Sequence, residues 1–161
     1  MPVIKGAQVV EAMGGRITKQ VEELKNAGVE PCLAILRVGE DGSQMAYERG
    51  ARNRLAKYGI KCETTALDID VSQEDFEKAF RGLNEDAAVH GILILQPLPK
   101  SLSIESIKNE INPLKDVDAI SPMTLYRVFA WDKQALAPCT AEGVIEILDS
   151  IGTQYRGKKC V

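Results

Sequence analysis

Two spacings of apolar residues alternate along this chain. Val10, Met13, Ile17, Val21 and Leu24 recur every three or four positions, which predicts a helix over residues 8–27 ended by Gly28. Gly14-Gly15 weakens its middle. The spacing then tightens: Cys32 to Val38 predicts a strand, and Gly39-Glu40-Asp41-Gly42 a turn. A second helix is predicted from Ser43 to Tyr58, closed by Gly59, and a second strand from Lys61 to Leu67. Ser72 can cap a third helix, with Glu74 and Asp75 in its first turn and Phe76, Ala79, Phe80 and Leu83 on its apolar face.

The rest is organised around Val89 to Asp118. Ile92 to Leu95 is an unbroken apolar run, the pattern of a strand buried on both faces in the middle of a parallel sheet. Pro97 and Pro99 cannot donate to a ladder, so the strand must stop near Gln96. A short helix follows, with Ile104, Ile107 and Ile111 inward. Residues 112–138 read mostly as loop, with Asp118, Pro122 and Asp132 as turn residues and some order over 125–131. Thr140 can cap a last helix whose Val144, Ile147, Leu148 and Ile151 share one face, ended by Gly152. Gly157 to Val161 has the look of a new strand beginning. Strands alternating with helices imply βαβ units, and so an α/β fold with a three-layer α/β/α arrangement and a mostly parallel sheet.

Composition narrows the function. The 161 residues suffice for one domain with a sizeable core, and with hydrophobic residues at 45% but aromatics at 5% that core is aliphatic. A net charge of −3 argues against a general nucleic-acid binder. No apolar run approaches a membrane span, and Met1 to Gly6 is followed by no signal-peptide core. The four cysteines, Cys32, Cys62, Cys139 and Cys160, include no C-x-x-C pair, and His90 is the single histidine. Neither a metal site nor disulfides are expected, and a reducing cytoplasm fits best. No dinucleotide or Walker glycine motif occurs.

Open α/β sheets bind ligands beyond the carboxyl ends of their strands. Gln96 and its prolines could therefore floor a pocket, or simply let the chain exit the strand. Tyr47 and Ala51, four apart, share a helix face on which Tyr47 could stack against a flat ligand or pack into the core. Asp116 and Asp118 could do acid–base work, grip an N–H-rich heterocycle, or be plain turn residues. Arg49, Arg52, Arg54 and Lys57 read as a solvated face, with Glu48 and Arg52 an i,i+4 pair. His90 precedes the strand, away from the site, and reads as structural. Cys139 stands before a helix N-terminus that could lower its pKa, yet it lacks a partner for nucleophilic work.

Taken in order, several stretches carry a resemblance. They are Val38-Gly39-Glu40-Asp41, the early helical Tyr47, Val89-His90-Gly91-Ile92-Leu93, Pro97-Leu98-Pro99, Asn112-Pro113-Leu114-Lys115-Asp116-Val117-Asp118 and Pro138-Cys139-Thr140. Over nearly its whole length the chain resembles the N-terminal catalytic domain of the methylenetetrahydrofolate dehydrogenase/methenyltetrahydrofolate cyclohydrolase family. The resemblance implies a folate-binding catalytic domain over residues 1–138. Residues 139–161 would then be a linking helix and the first residues of an absent NAD(P)-binding Rossmann domain. It also implies a cytoplasmic oxidoreductase of one-carbon metabolism, with tetrahydrofolate as substrate, NADP or NAD held by the absent domain, and a homodimer for the full-length protein. Tyr47 and Asp118 would be catalytic, Tyr47 stacking on the aminobenzoyl ring and Asp118 bonding the pterin, while Gln96, Pro97, Leu98 and Pro99 complete the substrate pocket.

Two family positions are degenerate. Ala51 stands at the lysine of Tyr-x-x-x-Lys, and Leu95 at the glutamine of Gln-Leu-Pro-Leu-Pro. Without those side chains the resemblance implies a dehydrogenase stripped of its cyclohydrolase machinery. A bifunctional enzyme with hydrolase activity and a non-catalytic folate-binding or dimerisation module remain open, while the missing phosphate loop counts against an unrelated nucleotide-binding regulator. The fragment alone is expected to be inactive and at most weakly dimeric.

Overall fold

The computed structural model describes residue 4 and residues 6–159. Its elements are α1 (Gly6–Asn26), β1 (Cys32–Val38), α2 (Gly42–Lys57), β2 (Lys61–Leu67), α3 (Gln73–Glu85), β3 (Gly91–Ile94), α4 (Glu105–Lys108), α5 (Pro122–Phe129) and α6 (Cys139–Ser150). The three strands form one parallel sheet in the order β2-β1-β3. Of the predicted new strand at the chain's end, residues 157–159 are not in strand conformation, and Cys160 and Val161 lie outside the described residues, as do Met1 to Val3 and Lys5.

Alternation along the strands divides the side chains between two faces. Ala34, Leu36 and Val38 of β1 and Ile92 and Ile94 of β3 meet Phe76 and Phe80 of α3 and Ile107 of α4, which makes the aliphatic core. Ser72 caps α3 as expected, its hydroxyl accepting from Asp75 N at 3.0 Å. On the opposite face, Leu33 and Leu93 look toward α2 across a cavity. Helices on both faces of a parallel sheet give the three-layer α/β/α arrangement.

The strand order corrects one expectation. The central strand is β1, whereas β3 lies at the sheet edge among the described residues. Its outer side is covered by a single parallel bridge between Ile92 and Asp116, with Ile92 N donating to Lys115 O at 2.7 Å. The apolar run reported burial faithfully, but helices and the 115–117 segment provide it. That segment comes very close: a Cβ on Gly91 would stand 2.7 Å from Val117 Cγ1, so only glycine fits there.

Three helix expectations also change. Residues 122–129 form α5, because Pro122 sits in the first turn, where its missing N–H is no loss, and Ser121 Oγ accepts from Met123 N at 3.1 Å. Thr140 does not cap α6: Pro138 holds that position without a side-chain bond. No residue of α6 is buried, and Val144 and Ile151 are exposed, although the helix packs on α1 with an Arg16–Glu146 ion pair at 2.6 Å. On α1 the buried residues are Val9 and Val21, and Leu24 is exposed. No described helix is long and apolar enough to cross a membrane.

Candidate functional site

The site is assembled where β1 and β3 end. Gly39, at φ +74°, turns the chain out of β1 and donates its N–H to Leu67 O at 2.8 Å. Asp41 then caps α2, accepting from Ser43 N and Gln44 N, both at 3.0 Å. These bonds, the Ser43 hydroxyl's first, hold its carboxyl below the ordinary aspartate value.

A second device fixes the rotation of α2. Glu48 accepts from Arg37 Nε of β1 at 2.9 Å, from Thr64 Oγ1 of β2 at 2.7 Å and from Arg52 at 3.1 Å. Burial pushes the Glu48 carboxyl up, but these three hydrogen bonds outweigh it and hold the group below its usual range. With Glu48 pinned to the sheet, Tyr47 faces the cleft and its ring is 61% exposed.

Two cavities open along this face. One, of ≈ 410 Å³, is lined by Ser43, Gln44 and Tyr47 of α2, Leu95 and Gln96 beyond β3, and Asp118. The other, of ≈ 630 Å³, is mostly apolar, with Tyr47, Gly50, Ala51 and Arg54 of α2 facing Leu33, Val117 and Cys139. Tyr47, Leu93 and Asp118 line both. Each has the size of a small-molecule site, about 300–1,000 Å³.

The structure thus brings together Tyr47, Ala51, Leu95, Gln96 and Asp118. Pro97, Leu98 and Pro99 line neither cavity: Pro97 O accepts from Gln44 Nε2 at 2.9 Å, and Leu98 packs against the core. The Gln96–Pro97 peptide is cis.

The two aspartates divide their roles. Asp116 is buried and spends both oxygens locally, accepting from Ile120 N at 3.0 Å, Ser121 N at 2.9 Å and Thr124 Oγ1 at 2.6 Å. Just after Asp118, Ala119 adopts φ +52°, a region rarely used by residues with a Cβ, and the Asp116 bonds to the two following N–H groups hold it there. Asp118 accepts no hydrogen bond among the described residues and borders both cavities. Desolvation, and then the charge of Asp116, raise its pKa above the ordinary aspartate value.

Cys139 reverses an expectation. Its thiol donates to Val117 O at 3.0 Å, and burial together with the negative charges of Asp118 and Glu142 raises its pKa. The helix N-terminus does not activate it.

The family model for the catalytic domain of tetrahydrofolate dehydrogenase/cyclohydrolase matches residues 4–118, a span that contains Tyr47, Ala51, Leu95, Gln96, Asp116 and Asp118 but not the Ala119–Ser121 segment, α5 or Cys139. The chain belongs to that family. A protein of Alkaliphilus metalliredigens named bifunctional protein FolD is 42% identical over 98% of this chain and 56% of its own length. Its namesake in Alkaliphilus oremlandii is 45% identical over 99% and 56%. The structure of a Trypanosoma brucei methylenetetrahydrofolate dehydrogenase-cyclohydrolase, complexed with NADP cofactor and inhibitor, superposes with TM-score 0.86 at 30% identity, covering 98% of this chain and 55% of that one. The chain therefore spans about half the length of these relatives.

The helices that follow β1 and β2 both begin with their N-terminal N–H groups taken by side chains. Phosphates sit at glycine-rich strand-to-helix turns, on free helix N-terminal N–H groups. Here the Asp41 carboxylate occupies the start of α2, Ser72 occupies that of α3, and β3 runs into Gln96–Pro97.

Sequence reasoning missed three contributors. Gln44 is buried, its Nε2 tying α2 to the proline turn and its Oε1 without a partner among the described residues. Asp116 acts as an anchor, signalled only by the Ser121-Pro122 helix start and Thr124 beyond it. Arg54 was assigned to a solvated face, although it stands seven residues after Tyr47 and so returns to the same side of α2.

Proposed function

We propose that this chain is the folate-binding catalytic domain of an NAD(P)-dependent methylenetetrahydrofolate dehydrogenase, without effective cyclohydrolase chemistry of its own. The observation that carries the reading is the joint exposure of the Tyr47 ring and the unpartnered Asp118 carboxylate at the meeting point of two cavities. A ring and an acceptor are what a flat, N–H-rich pterin with an aminobenzoyl arm requires. Tyr47 stacks on the arm, Asp118 accepts from the pterin edge, and Gln96 closes the polar end, with Pro97 to Pro99 shaping the turn that holds it.

Membership of the family supports this reading, and so does the fit to the trypanosomal enzyme. Residues 1–138 form the substrate domain. Residues 139–161 lead toward a dinucleotide domain that a longer protein would supply, consistent with the shares of the relatives covered. NADP or NAD supplies the hydride acceptor when bound there; this chain's residues bind and orient the folate. The longer protein is a cytoplasmic homodimer, and this domain alone is inactive.

The hydrocarbon side chains of Ala51 and Leu95 cannot take up or release a proton, and Leu95 is 6% exposed on the cavity wall. This favours a dehydrogenase over a bifunctional enzyme. It also keeps a second reading in play, a folate-binding module with no catalysis.

Calorimetric titration of the chain with tetrahydrofolate tests the binding reading, and absence of saturable heat overturns it. Assay of the longer protein with both nicotinamide cofactors separates the two readings. Oxidation of methylenetetrahydrofolate is expected; folate binding without reduction of either cofactor leaves the module.

A further inference from the structure

The apolar cavity has one charged side chain at its α2 edge that nothing else in the structure uses. On this helix Glu48 engages Arg37 and Arg52, while Arg54 has no ion pair or side-chain hydrogen bond among the described residues. It is the one cation among the described residues lining either cavity at the strand ends. The turn before it is bare: Ala51 presents a methyl group, and a Cβ built on Gly50 would meet nothing within 4 Å. Side chains on a helix lean toward its N-terminus and cover the turn before their own Cα. Arg54 therefore leans back over the Gly50-Ala51 notch, into the space between α2 and Val117-Asp118.

We propose that Arg54 is the second polar anchor of the ligand ring. Its guanidinium donates to a ring carbonyl oxygen of the planar heterocycle whose neighbouring N–H edge is accepted by Asp118. A carboxylate acceptor and a guanidinium donor on one apolar cavity select an –NH–CO– edge, the pattern of a pyrimidinone ring. The walls between them, Leu33, Leu93 and Val117, suit the ring's faces. This rests on the folate reading and deepens it: Arg54 fixes which edge of the pterin enters the cavity, and it makes the 4-oxo group a determinant of specificity.

The test uses folic acid and its 4-amino analogue aminopterin, in which the ring C=O acceptor becomes an NH₂ donor and the neighbouring ring nitrogen loses the N–H that Asp118 accepts. Both are titrated against the chain, an Arg54→Ala variant and an Arg54→Lys variant. Arg54 is exposed and unpaired, so an unchanged thermal midpoint verifies that the variants are folded. Hydrogen bonds to charged groups are worth about ten- to a hundred-fold in affinity. The unmodified chain is expected to prefer folic acid by more than about ten-fold, Arg54→Ala to lose about ten-fold of that preference and keep the share due to Asp118, and Arg54→Lys to fall between the two. Folic acid binding with no preference, or a preference undiminished in Arg54→Ala, overturns the assignment. If the unmodified chain binds neither compound, the folate reading falls first and takes this assignment with it.

Discussion

Exchanging either of two nearly adjacent carboxylates for an amide should give opposite results. In Asp116→Asn the remaining oxygen can still accept from Ile120 N, and the Thr124 hydroxyl can rotate to accept from the new NH₂. The Ser121 N–H, bound at 2.9 Å in a buried site, then faces a donor. Leaving one buried donor unsatisfied costs about 1–3 kcal/mol. Losing a negative charge at the α5 N-terminus adds about 0.3–1 kcal/mol. The expected destabilisation is about 1–4 kcal/mol, a large fraction of the roughly 5–15 kcal/mol of a typical domain.

Asp118→Asn removes no hydrogen bond found among the described residues, so its midpoint should barely move. Its sign can be worked out. The folded carboxyl has a pKa above its unfolded value. Such a group contributes stability at low pH that is lost as pH rises through the folded pKa. Asp118→Asn should therefore be as stable as the unmodified chain or slightly more so at pH 7, and the gain should vanish below the ordinary aspartate pKa. Tetrahydrofolate affinity should fall about ten-fold or more, because a charged acceptor is lost. Urea titrations of both variants at pH 7 and pH 4, paired with calorimetric binding, read all of this. Equal destabilisation by the two substitutions would refute the division of labour.

Other outcomes follow from the same geometry. Tyr47→Ala should weaken tetrahydrofolate binding about ten-fold by removing a stacking face worth roughly 0.5–1.5 kcal/mol beyond its burial, with the urea midpoint unchanged; unaltered affinity would remove Tyr47 from the site. Cys139, with a raised pKa, should react with iodoacetamide more slowly at pH 7.5 than a free cysteine, and bound tetrahydrofolate should slow it further, as peptide mapping would reveal; indifference to ligand would argue that the apolar cavity stays empty. Ala51→Lys with Leu95→Gln, placed in the longer protein, should raise methenyltetrahydrofolate hydrolysis by ~10²–10⁴-fold and exceed Ala51→Lys alone. An unmodified protein already as fast as the double variant would shift the proton-transfer role elsewhere.

The ends of β1 and β2 were legible to the residue, β1 because a short apolar run between glycine turns has few other solutions, β2 because a stretch centred on β-branched Thr64-Thr65 lies between Gly59 and the polar Asp68. Ser72 marked the start of α3 for a reason that is local: its side chain satisfies its own helix. The position of β3 at the edge was not legible. An apolar run reports that something covers it, and here Phe76, Ile107 and the 115–117 segment do so as effectively as a fourth strand. Helix α5 was hidden by Pro122, which marks a turn and a first helical turn equally well; Ser121 before it was the deciding cue. At the site, the i,i+4 spacing of Tyr47 and Ala51 carried over directly, since α2 is regular there. Spacing could not separate Asp116 from Asp118, because the chain turns at Val117-Asp118, with Ala119 N donating to Asp116 O, and so leaves Asp116 buried while Asp118 borders the cavities.

The side chains that remain in the cleft separate holding from proton transfer. Recognition of a flat heterocycle needs a stacking face, a hydrogen-bond acceptor and dry walls, and Tyr47, Asp118 and the Leu33–Leu93–Val117 surface supply them. Hydrolysis of a bound cationic one-carbon bridge needs in addition a group that takes a proton from water. Asp118 is the one carboxylate among the described residues lining either cavity at the strand ends. If it accepts from the ligand ring, it is committed to holding that ring and is not free to activate water. Ala51 and Leu95 present hydrocarbon on either side of it. A folate oxidised in this cleft would meet water without a base, so the proposed enzyme should release methenyltetrahydrofolate and leave its hydrolysis to another catalyst. Under single-turnover conditions the methenyl compound should therefore accumulate and decay only at its solution rate.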